Sequence, residues 1–117
     1  MVTLKFLNES ASAASESAIT ELNFGNIIRG SSKQMAFKIG NTGDSTAESV
    51  TLEVEGGESA GWKTISVNDG SSWETNPSLP NIEPNAITSK ILIKSTVPSM
   101  ATTGSFTATL RCSYIYV

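Results

Sequence analysis

The sequence predicts an all-β fold, an antiparallel β-sandwich of about seven strands, on three observations. Apolar and polar residues alternate along most of the chain, as they do in strands that bury one face. Turn residues interrupt this alternation at intervals of roughly ten residues. No segment shows a convincing helical repeat. At 117 residues, the chain has the length of one ordinary domain, and we expect a single domain over residues 1–117.

The N-terminal third is predicted to contain two clear strands. In "VTLKFL", Val2, Leu4 and Phe6 share one face. The segment 8–18 lacks large apolar residues and is predicted to be a flexible insertion or loop. A short strand is expected from Glu21, followed by a turn. A central strand comes next, with one face formed by Met35, Phe37 and Ile39.

Residues Asn41-Thr42-Gly43-Asp44 are interpreted as a structural turn between two antiparallel-type strands. Asn, Gly and Asp tolerate positive φ and cap turns through their side chains. A calcium or phosphate role for Asp44 is the alternative, but calcium prefers about six to eight oxygen ligands and the turn offers a single carboxylate. The strand after the turn is expected to place Val50, Leu52 and Val54 on its buried face.

The second half of the chain continues the same pattern. "GWKTISV" predicts a strand that ends in an Asn68-Asp69-Gly70 turn. Residues 76–88 hold three of the four prolines and are predicted to be an extended crossover or edge segment, because proline cannot donate to a strand ladder. Ile91 and Ile93 mark a further strand. The closing strand is predicted to present one core face, formed by Phe106, Ala108, Leu110, Cys112, Tyr114 and Tyr116.

The residue inventory argues against an enzyme and against a cofactor or metal. The chain contains no histidine and one cysteine, which removes Ser-His-Asp triads, Cys-His pairs and the usual zinc sites. Cys112 is interpreted as a small buried hydrophobic residue rather than a reactive thiol. The pairs Glu53 with Glu55 and Glu74 with Glu83 are interpreted as solvent-facing glutamates, although two carboxylates are also what a glycosidase needs.

Charge and hydropathy exclude two classes of partner. The net charge is -3, and the basic residues form no stripe that would neutralise a phosphate backbone, so no nucleic-acid partner is expected. No apolar run approaches the roughly 18 residues of a membrane span, and the N-terminus lacks a signal peptide. We therefore expect no membrane partner, and a chain that is made and kept in a cytoplasm or cut from a longer parent.

A family resemblance runs from about Leu22 to Leu110. "LNFGNIIRGSSKQMAFKIGNTGDSTAESVTLEV" resembles the front half of immunoglobulin-like domains of the ASPM-SPD-2-Hydin and CARDB groups, in which an F-G stretch leads to a strand ending N-T-G-D. "VPSMATTGSFTATL" is similar to their closing pattern, with Pro98, Ala101, Gly104 and Phe106 at the matching positions. The resemblance implies an immunoglobulin-like β-sandwich that acts as a non-enzymatic scaffold, adhesion or assembly module.

Two functions follow from these observations as hypotheses. The first is a structural or assembly protein of a bacteriophage virion, such as a capsid decoration or tail accessory protein, made in the host cytoplasm. The second is a ligand-binding or adhesive module, for example carbohydrate-binding, that belongs to a longer chain on a bacterial surface. A sugar platform needs exposed aromatic side chains in register, and only Trp62 and Trp73 are candidates.

The end of the last strand is the candidate partner interface. Its outward positions are polar up to Ser113 and then apolar, so Tyr114, Ile115, Tyr116 and Val117 form a run that is apolar on both faces. We expect it to dock against a capsid or tail subunit, or against a second copy of the chain, with tyrosines as amphipathic anchors. The alternative is that the 8–18 segment or the 76–88 crossover covers it within the monomer.

Overall fold

The computed structural model describes residues 1–56, 61–101 and 108–116, without the side chain of Tyr116. Within these ranges the chain forms seven strands and no helix, which confirms the predicted all-β fold. The strands are β1 (Leu4–Asn8), β2 (Ser32–Asn41), β3 (Ala47–Glu55), β4 (Lys63–Ser66), β5 (Ser78–Leu79), β6 (Ile91–Thr96) and β7 (Thr109–Tyr116).

The strands build two antiparallel sheets that enclose one core. The larger sheet has the order β1-β2-β6-β4 and the smaller has the order β5-β3-β7. The larger sheet contributes Phe37, Ile39 and Ile93 to the buried cluster, and the smaller contributes Val50 and Leu52. Alternation in the sequence therefore identified the buried faces of β2, β3 and β6 correctly.

Consecutive strands β2 and β3 belong to different sheets, so the Asn41-to-Asp44 turn crosses from one sheet to the other. Such a turn carries the same residues as a hairpin, because Asn, Gly and Asp satisfy local backbone needs whether or not the flanking strands pair.

The short strand expected from Glu21 does not form. The segment from residue 17 to residue 28 contains no strand, and Asn23 Oδ1 accepts a hydrogen bond from the N–H of Gly25, which has a φ of 69°. Its apolar side chains, among them Ile19 and Phe24, pack against the core. Ile19 N–H donates to Phe6 O on β1 at 2.9 Å, and the Phe24 ring lies 5.5 Å from Lys63 Nζ on β4. The segment thus runs between the outer strands of the larger sheet and covers the core without pairing.

The segment 8–18, predicted to be a flexible insertion or loop, forms no strand after Asn8 and packs against the larger sheet. Ala11 and Ala14 are 2% and 3% exposed, and Lys38 Nζ donates to the carbonyl of Ala11 at 2.8 Å. A Cβ atom on Gly40 would lie 2.8 Å from Leu7 Cδ1 and 3.0 Å from Ala14 Cα. Small residues in this segment are therefore what allows the chain to lie flat on the sheet.

Glu16 holds the turn within this loop. Its carboxylate accepts hydrogen bonds from the N–H groups of Ser12 at 2.6 Å and Ala13 at 2.9 Å. These bonds lower the pKa of the Glu16 carboxyl, because they favour its charged form.

The proline-rich crossover closes one side of the sandwich. Glu74 bridges to Ile65 on β4, and only four residues later Ser78 pairs with Thr51 on β3. The crossover then bridges Ile82 to Ala47 and Ile87 to Gly40. It therefore links the outer strand β4 of one sheet to the edge of the other before the chain enters β6.

Candidate functional site

Strand β7 carries the sequence-predicted interface residues. Tyr114 is 38% exposed and Ile115 is 59% exposed, so both side chains reach the surface. Tyr116 pairs with Ala47 through its backbone, while its side chain and all of Val117 lie outside the described residues. The structure therefore brings Tyr114 and Ile115 together at the surface and leaves the other two members of the predicted interface undescribed.

A β-bulge in β3 lies opposite Tyr114, near the end of β7. The register shifts between Glu48 and Thr51, where Ser49 adopts a φ of 50°. Before the shift, Ser113 pairs with Thr51, and beyond it Ile115 pairs with Glu48. Bulges bend and twist the strand that carries them. Beyond the bulge, the end of β7 remains paired with β3 through Ile115↔Glu48 and Tyr116↔Ala47.

Cys112 lies on the core face of β7, opposite Leu52. The side chain is half-buried and packs against the buried cluster. Burial raises the pKa of its thiol to about 11, since the charged thiolate is disfavoured away from water. The predicted core-face position is confirmed, and at neutral pH the group is a thiol rather than a nucleophilic thiolate.

The Asn41 turn is held by a fully buried amide. Asn41 Oδ1 accepts from the N–H of Gly43 at 2.9 Å and of Thr3 at 3.3 Å. Asn41 Nδ2 donates to the carbonyl oxygens of Ser45 at 2.8 Å and Ile82 at 3.0 Å. The amide therefore joins the N-terminal residues, the turn and the crossover, and the expected capping role of the Asn41 side chain is confirmed.

The reason expected for the turn glycine is wrong. Gly43 is not among the residues with positive φ, in contrast to Gly70 at 89° and Asp69 at 58° in the second predicted turn. A Cβ atom on Gly43 would instead lie 2.0 Å from Met1 O and 2.7 Å from Thr3 N. Close approach of the N-terminal backbone, rather than backbone conformation, requires glycine at this position.

Asp44 contacts the amino group of Met1, which also donates to Ser45 Oγ at 2.8 Å. The hydrogen bond from the Met1 ammonium lowers the pKa of the Asp44 carboxyl. The turn borders a shallow open cleft with Thr3 and Pro84. Across the described ranges, no group of three or more His, Cys, Asp or Glu side chains is arranged to hold a metal ion.

Of the glutamates considered as two catalytic pairs, Glu53 and Glu55 are half-buried, whereas Glu74 and Glu83 are exposed. Glu55 Oε1 accepts from Arg111 Nε at 3.0 Å across the outer face of β3 and β7, and Glu53 pairs with Arg111 in the ladder. Glu74 and Glu83 are both exposed, at the start and in the middle of the crossover.

The two tryptophans are both half-buried. Lys94 Nζ lies 4.2 Å from the centre of the Trp73 ring, and Lys63 Nζ lies 6.0 Å from the centre of the Trp62 ring. An ammonium group over the ring of Trp73 occupies a face that a sugar would stack on.

Two further exposed apolar residues escaped sequence reasoning. Ile28 is 80% exposed and Met100 is 91% exposed. Their loops are tied together, since Gly30 N–H donates to Val97 O at 2.8 Å and Arg29 Nη1 donates to Ala101 O at 3.3 Å. Met100 stands among turn residues in "PSMATTG", and this isolated apolar residue is a signal that could have identified its exposure.

The part of the chain that the structure describes contains no helix with the length and hydrophobicity needed to cross a membrane. In comparisons with known proteins, no protein-family model matches the chain, and searches of curated proteins and of solved structures give no significant match.

Proposed function

We propose that the protein is a non-enzymatic structural or assembly module, most specifically a bacteriophage virion component such as a capsid decoration or tail accessory protein. It contacts a protein partner through the end of β7. The observation that carries the proposal is the exposure of Tyr114 and Ile115 on consecutive positions, one on each face of the strand. Exposed apolar side chains that cluster in this way are typical of interfaces.

The chemistry of the described residues supports a role without catalysis. The thiol of Cys112 is protonated at neutral pH, and Glu55 is paired with Arg111. A rigid sandwich with an apolar strand end suits binding better than reaction chemistry. The resemblance of residues 22–110 to scaffolding domains of the ASPM-SPD-2-Hydin and CARDB type supports an assembly role, and the virion setting remains part of the proposal.

A chain that ends at Ser113 tests this function. The five ladder pairs from Thr51↔Ser113 to Glu55↔Thr109 remain in that chain, and Ala47 keeps both hydrogen bonds to Ile82. We expect it to fold with a nearly unchanged melting temperature and to be lost from purified particles, as measured by mass spectrometry of the particles.

Met100→Ser is the matched control, since it removes a side chain that is even more exposed at a distant loop. We expect this variant to be incorporated normally. Normal incorporation of the truncated chain would contradict the proposal, and its unfolding would show that the end of β7 belongs to the core. Glycan binding by the full chain that survives the truncation would favour the ligand-binding or adhesive alternative.

A further inference from the structure

The edges of the two sheets differ in how well they are protected. β5 has two residues and stands between Pro77 and Pro80. β4 has four residues and is bridged by Glu74. β1 has five residues, and the N–H of Ile19 occupies its outward carbonyl at Phe6. Short length, proline and covering segments are the devices by which proteins block edge-to-edge pairing.

β7 has none of these devices in the part of the chain that the structure describes. It is eight residues long and contains no proline, and no described strand lies on its outer side. Its one charged side chain, Arg111, faces outward and is paired with Glu55. β7 therefore offers an eight-residue edge of backbone groups, which runs past the β3 bulge opposite Tyr114.

The hydrogen bonds of β3 identify which backbone groups lie on this edge. Leu52 N–H donates to Pro77 O at 3.0 Å, away from β7. In an antiparallel ladder, opposite residues either exchange both of their hydrogen bonds or neither. Cys112, opposite Leu52, thus directs its N–H and C=O away from β3. The backbone N–H and C=O groups of Leu110 and Tyr114, two residues away on either side, also point away from β3.

The side chains of Leu110 and Cys112 lie on a side of the core that the described residues cover only in part. Leu110 and Cys112 are only partly buried, like Leu4 and Phe6 on β1. The crossover closes the opposite side of the sandwich, between β4 and β5. The order β1-β2-β6-β4 matches the four-stranded sheet of a seven-stranded immunoglobulin domain, with β5 as an insertion.

We infer that β7 pairs in antiparallel fashion with β7 of a second copy of this chain, about a two-fold axis at Cys112. The pairing joins the smaller sheets of the two copies into one continuous sheet. This inference rests on the proposed function in taking the end of β7 as a contact surface, and it assigns both the partner and the mode of contact.

The sequence of β7 is self-complementary in this register. On the inner face, Leu110 of each copy lies opposite Tyr114 of the other copy. On the outer face, Arg111 of each copy lies opposite Ser113 of the other copy, so no like charges meet. The backbone groups that point outward, at Leu110, Cys112 and Tyr114, are those that exchange hydrogen bonds in this register. A shift that centres the axis on Arg111 would place two guanidinium groups opposite each other, which is unfavourable.

Sedimentation of the full chain over a series of concentrations tests the inference. We expect a reversible monomer–dimer equilibrium. Tyr114→Lys should shift it to the monomer, because pairing of the edge would bury the inward-pointing charge without a partner. Leu79→Lys is the matched control. It places the same charge at a partly buried residue of the other edge strand of the smaller sheet, and we expect it to dimerise like the original chain.

Residue-resolved amide exchange tests the strand pairing directly. The amides of Leu110, Cys112 and Tyr114 should gain protection as the concentration rises, whereas those of Arg111 and Ser113, bonded to β3, should be protected throughout. A chain that stays monomeric overturns the inference, and so does a dimer without this alternating protection. A monomeric chain that still enters particles through its last residues overturns the pairing alone and leaves the proposed function standing.

Discussion

The backbone of Met1 occupies the space that a side chain on Gly43 would need. A Cβ atom built there lies 2.0 Å from Met1 O. The N-terminal residues and the turn are joined by hydrogen bonds from Thr42 N–H to Thr3 O and from Asp44 N–H to Met1 O, each 2.9 Å long. The start of the chain is thus part of the turn that crosses between the sheets.

Gly43→Val should destabilise the fold by about 1–3 kcal/mol, because the new side chain must displace backbone rather than a flexible side chain. Thr42→Ala is the control, since Thr42 is exposed and bonds through its backbone. Chemical denaturation measures both. Equal stability of Gly43→Val and the original chain would show that the N-terminal residues do not hold the described position.

Asn41→Ala should be among the most damaging single changes. It removes an amide that is fully buried and makes four hydrogen bonds. Each buried group that loses its partner costs about 1–3 kcal/mol, so we expect a total of roughly 3 kcal/mol or more. Asn81→Ala, at an exposed asparagine of the crossover, should change the melting temperature little. Similar melting temperatures for the two variants would contradict the role assigned to the Asn41 amide.

Ala14 and Ala13 are adjacent residues of the 8–18 loop with opposite environments. Ala14 is 3% exposed, whereas Ala13 is exposed. Ala14→Asp would place a charge against the larger sheet and should free the loop, so that a glutamate-specific protease cleaves at Glu16 much faster. Ala13→Asp should leave the cleavage rate unchanged. Identical rates for both variants would mean that the loop is not packed.

The raised pKa of Cys112, about 11, predicts a loss of stability at alkaline pH. Between about pH 9, where an unfolded thiol ionises, and pH 11 the unfolded chain releases a proton that the folded chain retains. Stability therefore falls as the pH rises through this range. Cys112→Ala should remove the loss of stability that this thiol causes. The measurement compares the free energy of unfolding of the original chain and the variant across this pH range. A thiol reagent that labels native and denatured chains at equal rates would refute the core-face environment of Cys112.

Alternation was a good guide wherever a strand lies between a core and solvent. It placed Phe37, Leu52 and Ile93 correctly, because the side-chain period of a strand follows directly from backbone geometry. Long-range choices were harder to read. The residues after Asn41 cap a turn equally well within a sheet or between sheets, and "LNF" after Glu21 has the apolar character of a strand but packs without pairing.

Some surface features could be predicted from the sequence and others could not. The exposure of Ile115 was predictable, since it breaks a run of polar outward positions along one strand. The burial of Ala11 and Ala14 was not, because a small residue carries no signal of what lies over it. Ala14 can lie this close to the sheet because Gly40, far along the chain, has no side chain there.

The strand order also governs how the chain can fold. β3 finds its long partner in β7, through pairs such as Leu52↔Cys112, and β2 finds its partner in β6, through pairs such as Phe37↔Ile91. None of these partners follows directly in the chain, so large loops must close before the sheets are stabilised, and such topologies fold slowly, in roughly milliseconds to seconds. During synthesis, most of β3 therefore has no partner until β7 has been made. The protein must keep β3 from pairing with other molecules until β7 arrives.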